Sequence, residues 1–209
     1  MRSATTSIKL VPWKGHIMPA ELSVREVAGL AGVPVKTVEK AVEEKIVAPL
    51  KRKRGKALAL PFHMVPYAAV VGRLDIPLSA DKKRRLIKVL KGRRLADVAS
   101  EPVEIAPALM VDVGKLIGKD LGSRVERYAR ARDRVIERNP DVLGGTAVIR
   151  DTRISVYALL GRIESGDSVE SIIDDYPEMD RETIETAITY ARTHPLVGRP
   201  GGRPWAKAS

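Results

Sequence analysis

Apolar positions along this chain change period several times, and each change marks an element. From Ser23 onward, Val24, Val27, Ala28 and Ala31 recur at helical spacing, and Ser23 with Glu26 forms a capping box at the helix start. Gly32-Val33 supplies a turn, Pro34 suits the first position of a second helix, and Val38, Ala41 and Val42 give that helix its buried stripe. Two short helices joined so tightly predict a helix-turn-helix. Val47 to Leu50 and Ala57 to Leu60 then predict two short strands around Lys51-Arg52-Lys53-Arg54-Gly55-Lys56, a hairpin with a cationic tip. His63 to Leu74 predicts a helix with Val65, Ala68, Ala69 and Val71 inward, ended by Ile76-Pro77. Ser79 and Asp81 open another, which sets Lys82, Lys83, Arg84, Arg85, Lys88 and Lys91 beside Leu86, Ile87, Val89 and Leu90 as an amphipathic helix.

In the second half, Val103 to Val111 predicts a strand pair kept short by Pro102 and Pro107. Asp112 predicts the cap of a long helical stretch reaching about Arg132, with Val113, Leu116, Ile117, Leu121, Val125, Tyr128 and Ala129 on one stripe. Gly114, Gly118 and Gly122 fall at four-residue intervals, a spacing that would permit close helix approach. Val135 to Glu137 predicts a strand. The run from Asn139 to Val156 predicts a hairpin: a glycine pair, Gly144-Gly145, leads into Ala147–Ile149, and Arg150-Asp151-Thr152 separates that run from Arg153–Ser155. Gly144, Gly145, Thr152 and Arg153 are accordingly read as turn-building residues. Three helices follow: one with Leu159, Leu160 and Ile163, one opened by an Asp167…Glu170 capping box, and one capped by Asp180 and stopped at His194-Pro195.

Composition narrows the chemistry. The 37 Lys and Arg exceed the 26 Asp and Glu by 11 among 209 residues, and such clustered excess charge attracts polyanions, nucleic acid first. Without cysteine there are neither disulfides nor thiolate metal sites, and His16, His63 and His194 show no ligand spacing. The acidic cluster Asp174, Asp175, Glu178 and Asp180 reads as helix-end solvation and capping, so no catalytic residue, metal or cofactor is expected. No apolar run approaches a membrane span and Met1 to Lys9 lacks an apolar core, so a cytoplasmic protein is expected. The residues that could contact double-stranded DNA are Arg25, Lys36, Thr37 and Lys40 on the first helix pair and Arg52, Lys53, Arg54 and Lys56 on the hairpin tip.

Two stretches carry family resemblances. Ser23 to Pro34 resembles the opening of MerR-like winged helix-turn-helix domains, over roughly Glu21 to Leu60. The run Asn139 to Val156 resembles the signature of the domain-of-unknown-function family number 433, a small helix-turn-helix domain that recurs in bacterial and archaeal antitoxins, over roughly Val135 to Pro195. Two positions depart from it, since members usually carry proline where this chain has Ala147 and glycine where it has Asp151. The expected organisation is α+β and helix-dominated. An irregular segment (1–20) precedes a winged helix-turn-helix domain (21–75), a helical connector with short strands that could serve dimerisation (76–134), and a homeodomain-like helix-turn-helix domain preceded by a small hairpin (135–195).

The last stretch (196–209) is a basic tail of Gly, Pro and Arg. Its Gly-Arg-Pro repeats are similar to AT-hook cores. The antitoxin resemblance implies a different use: Arg199 or Arg203 would enter the acidic active site of a PIN-like ribonuclease toxin, with Trp205 as an anchor. The implied function is a type II antitoxin, a homodimer or a complex with its toxin, that binds its own promoter. The alternative is a stand-alone MerR-like regulator without a toxin.

Overall fold

The computed structural model describes residues 21–50, 58–93, 97 and 99–196. The cationic tip with Arg52, Lys53, Arg54 and Lys56, and the tail with Arg199, Arg203 and Trp205, lie outside the described residues. Helices dominate, joined by three two-stranded antiparallel sheets among the described residues.

Strand β1 (Leu22–Ser23) runs directly into α1 (Val24–Ala31), and both halves of the expected capping box form. The Glu26 amide donates to Ser23 Oγ (3.2 Å) and the Ser23 amide donates to Glu26 Oε2 (2.7 Å). Gly32 closes α1 at φ +67°, a conformation that suits glycine. The Val33 amide reaches back to Ala28 O and the Gly32 amide to Gly29 O, so orphan carbonyls of α1 are satisfied. Helix α2 (Val35–Glu43) follows after this short turn. Strand β2 (Ala59–Leu60) pairs with β1, an unforeseen partner, while Leu50 makes only an isolated bridge to Ala59. The expected Val47–Leu50 strand is thus reduced to one residue. Pro49 has no N–H to give a ladder, and Val47 turns into the core.

Helices α3 (Met64–Arg73) and α4 (Ala80–Lys91) lie where the periodicity put them, as does the hairpin β3 (Val103–Ala106) and β4 (Leu109–Val111). The expected long helix is broken in two, α5 (Val113–Ile117) and α6 (Leu121–Val135), because Gly118 adopts φ +75°. The three spaced glycines therefore do not share one helix face. Gly114 has its own reason, since a Cβ there would stand 2.4 Å from the Ala99 carbonyl oxygen.

Strand β5 (Ile136–Glu137) pairs with β6 (Val148–Ile149), the first arm of the expected hairpin. The second arm is shorter than expected, with Ser155 bridging Val148 and the Ile149 amide donating to Ile154 O (2.9 Å). Helices α7 (Val156–Glu164), α8 (Val169–Asp175) and α9 (Arg181–Thr193) complete the chain. Asp180 caps α9 as expected, but α8 is capped by Ser168, whose Oγ accepts from the Ser171 amide. Asp167 is unavailable for that role because Arg162 Nε holds it at 2.6 Å.

Two apolar cores result. One runs from Leu22 through Val27, Val38, Tyr67, Leu86 and Ile105 to Tyr128, so α4, β3, β4 and the first half of α6 pack with α1–α3. The other gathers Ala131, Val135, Ile149, Leu159, Ile172 and Ile184 around α9. Helix α6 belongs to both and ties them together.

Candidate nucleic-acid interface

Helix α2 is anchored by Val38 and Ala41, both buried, and it touches α1 and α3. Its opposite side leaves Val35, Lys36, Glu39, Lys40 and Glu43 exposed, with Thr37 half-buried at the edge. That spacing is one continuous helical face. Arg25 is exposed on α1, and neither it nor Lys36 has an ion-pair partner among the described residues. Lys40 stands 3.9 Å from Glu44, whose carboxylate is more tightly held by Lys83 at 2.7 Å. The Lys83 hydrogen bond, joined by the nearby cations, keeps Glu44 below the usual carboxylate range. Glu44 thereby links the end of α2 to α4, and the cations Lys36 and Lys40 stay in solvent.

Beside α2 lies a groove of about 650 Å³, walled by Arg25, Val35, Glu39 and Leu58 on one side and by Arg138, Tyr190 and His194 on the other. Arg138 sits over the Tyr190 ring at 6.0 Å, and Tyr190 stacks on His194 with centroids 4.1 Å apart. Tyr157 OH donates to His194 O at 2.7 Å, which fixes the end of α9.

Beneath the groove is a polar cluster that sequence reasoning missed. Glu26 is 2 % exposed; Arg132 Nη1 and Tyr128 OH both donate to its Oε1 at 2.8 Å, while the Ser23 amide takes Oε2. Burial opposes the Glu26 charge, yet Arg132, the Ser23 amide and Tyr128 outweigh it and hold the carboxyl below its ordinary range. Burial, then the Glu26 charge, pushes the Tyr128 phenol up. Arg132 also donates to Glu21 O (3.1 Å), so this one guanidinium ties α6 to the start of α1. The same interface is tight elsewhere: a Cβ on Gly29 would stand 2.6 Å from Thr193 Cγ2, so α1 and α9 approach closely where glycine stands. A capping-box glutamate is legible in sequence; its second role needs a partner 106 residues away.

Three of the four expected turn residues lie in turns whose geometry the structure describes: Gly144, Gly145 and Thr152. Gly144 and Gly145 adopt φ +62° and +81°, and Asp151 takes φ +61°, the conformation that the family resemblance assigns to glycine. Thr152 Oγ1 donates to Ile149 O (2.8 Å) and accepts from the Ile154 amide (3.1 Å), clasping the turn. Arg153 is exposed, and no ion pair joins it to the described residues. The neighbouring Arg150 has the structural part instead. Its guanidinium donates to the Arg134 and Asp133 carbonyls (2.6 and 3.0 Å), closing the C-terminal end of α6. In the acidic cluster, Asp175 is paired with Arg162 at 2.6 Å and Asp180 caps α9. Among the described residues no group of three His, Asp or Glu comes together in a form that could hold a metal, and no helix is long and apolar enough to cross a membrane.

With this geometry, the segment from β5 to the end of α9 can be compared with known proteins. Residues 136–191 match the family "Protein of unknown function (DUF433)". The DUF433 match covers the hairpin with its positive-φ turns and the helices of the second core, and it stops short of α1 and α2. An uncharacterized protein of Sinorhizobium fredii, y4eO, is 41 % identical over 76 residues, which is 36 % of this chain and 34 % of that relative. The match thus spans about a third of the relative's length. Among solved structures, the crystal structure of Rv2018 from Mycobacterium tuberculosis aligns over 80 % of this chain and 96 % of its own, at 19 % identity and a TM-score of 0.37.

Proposed function

We propose that this protein is the DNA-binding antitoxin of a type II toxin–antitoxin pair, a binding protein and not an enzyme. One observation carries the DNA half: α2 exposes Lys36, Glu39 and Lys40 on one continuous face, while Val38 and Ala41 on its other face are buried in the core. An α-helix fits a major groove, and on this reading Lys36 and Thr37 near the start of α2 would reach bases and phosphates. Glu39 can accept from a cytosine amino group, which would add selectivity to a basic surface. Arg25 and the cations of residues 51–56 would contact the DNA backbone. The excess of 11 positive charges suits such a partner.

The antitoxin half is supported by the DUF433 segment, whose signature resembles domains that recur in antitoxins. On this reading the tail from 196 supplies Arg199 or Arg203 to the acidic pocket of a PIN-like ribonuclease. A guanidinium bridges paired carboxylates through two parallel hydrogen bonds.

One truncation tests both halves. Removing the chain after Pro195 should leave melting and affinity for its own promoter close to the parent and abolish inhibition of the ribonuclease encoded beside it. If the truncated chain loses affinity for AT-rich DNA and still inhibits, the tail is a minor-groove hook and the antitoxin arm is excluded. If the full chain binds promoter DNA and no nuclease, it is a stand-alone regulator.

A further inference from the structure

Further along α1, its second half joins α6 and α9 around another, larger cleft of about 940 Å³. Its floor is apolar, formed by Leu30, Ile163, Val169 and Ile188. Its rim is charged, and the charges are unequally satisfied. Glu182 is taken by Arg134 at 2.6 Å, and Glu185 stands 3.6 Å from Arg181, which also binds Glu170. By contrast Arg124, Arg127 and Arg192 are all exposed and have no acidic partner among the described residues. The carboxylates of the cleft are thus already neutralised from within the chain, and three guanidiniums are left over. A concave apolar floor is wasted on a nucleic-acid backbone, which presents only phosphate and sugar to such a surface. Apolar floor and cationic rim together match a helix or strand with one apolar side and flanking carboxylates.

We propose that this cleft is the docking site for an acidic, amphipathic segment of a protein partner, with Arg124, Arg127 and Arg192 pairing its carboxylates. The partner's identity as the ribonuclease rests on the antitoxin reading; the cleft would hold the body of that protein while the tail from 196 reaches its active site. Such a second attachment adds avidity, since a tethered arm binds at a high local concentration.

The test co-purifies the full chain with the adjacent ribonuclease and compares the parent with Arg124→Glu/Arg127→Glu and with Arg192→Glu. All three positions are exposed, so melting temperatures serve as a control for folding. Reversing two charges should weaken the complex by about 100-fold and flatten its salt dependence, with melting and promoter affinity unchanged. A Glu→Arg or Asp→Arg change on the partner that restores binding to the reversed chain would locate the interface. If the parent inhibits and the variants inhibit equally well, the cleft is not the docking site, and the antitoxin reading stands. If the variants lose promoter affinity and keep inhibition, the cleft faces DNA, which also overturns the proposal. A parent chain that forms no complex with the ribonuclease removes the antitoxin reading and this proposal with it.

Discussion

Helices α2 and α9 hold the same place in sequence, each the last member of a tightly turned helix pair with an apolar stripe, yet they end in opposite environments. Helix α2 packs on α1 and α3 and leaves five of its nine residues exposed. Helix α9 packs on α6, α7, α8 and α1, and of its 13 residues only Arg181, Glu185 and Arg192 are exposed. Four of its polar positions are threonines, and two of these, Thr186 and Thr193, are themselves buried at 4 %. Small polar residues whose hydroxyls can bond their own helix carbonyls, as Thr193 does to Thr189 O, let neighbours close in on several sides. Long charged side chains at the matching positions of α2 prevent that. An apolar stripe thus marks one buried face; the size of the polar residues decides whether the rest of the helix stays free to meet a ligand.

The largest effect should come where the two regions join. Glu26→Ala would leave the half-buried Arg132 with only the exposed Asp133 as a carboxylate partner, deprive Tyr128 OH of its acceptor and remove half of the capping box. Losing one partner of a buried ion pair costs about 3–5 kcal/mol. Urea unfolding should show that loss, whereas Glu39→Ala on the free face of α2 should stay within about 0.5 kcal/mol of the parent. If Glu26→Ala unfolds within about 1 kcal/mol of the parent, the cluster does not hold α1 to α6, and the apolar contacts of α1 with α6 and α9 carry that junction.

What the sequence disclosed follows the range of the interactions involved. Local chemistry was readable: the Ser23–Glu26 capping box, the Gly32 turn, Asp180 as a cap and the positive-φ positions Gly144, Gly145 and Asp151 all depend on neighbours within a few residues. Competition between near-equal local partners was not. Asp167 and Ser168 can both cap α8, and the choice is decided by Arg162, which binds Asp167. Gly118 could sit in a helix at a cost of about 1 kcal/mol, and instead it ends α5 at φ +75°. The β1–β2 pair, the Arg132–Glu26 bond and the cleft arginines join residues far apart in sequence, so no periodicity could announce them. For the candidate DNA site, the residues on α2 were nameable from charge alone, but that α2 and not α9 has the free face is a property of packing.

The two histidines that flank these regions should separate them by pH. Burial, with the Lys91 charge, pushes His63 at the start of α3 down to about 4 from an ordinary 6.5. Burial also lowers His194 at the end of α9, though the Glu26 charge and the Tyr190 carbonyl oppose it. A depressed histidine pKa means that the unfolded chain binds the proton first. Stability is therefore full above pH 6.5 and falls as pH drops from 6.5 toward 4. For His63 the loss should be on the order of 1–3 kcal/mol. His63→Phe should flatten the stability curve in that window, and an NMR titration should find His63 still neutral at about pH 5. If His63 titrates near 6.5 in the folded chain, its surroundings are wetter than their packing implies.

The smallest effect, and the sharpest for function, concerns the two helix faces themselves. Lys36→Ala and Lys40→Ala remove exposed cations whose one ion pair among the described residues is the loose Lys40–Glu44 pair, so stability should change by less than about 0.5 kcal/mol. Each phosphate left without its lysine should reduce the slope of log affinity against log salt by about 0.9, and affinity for promoter DNA should fall roughly tenfold for the double variant. A lysine that meets only phosphate weakens all sequences alike when it is removed, whereas one that reads a base changes the preferred sequence at that position. The matched control is Arg181→Ala, the exposed cation at the start of α9. Its guanidinium is committed to Glu170 and Glu185 within the chain, so its removal should leave both slope and affinity unchanged. Should Arg181→Ala flatten the slope while the α2 variants keep it, DNA is met by the DUF433 segment after all, and the exposed face of α2 serves another partner.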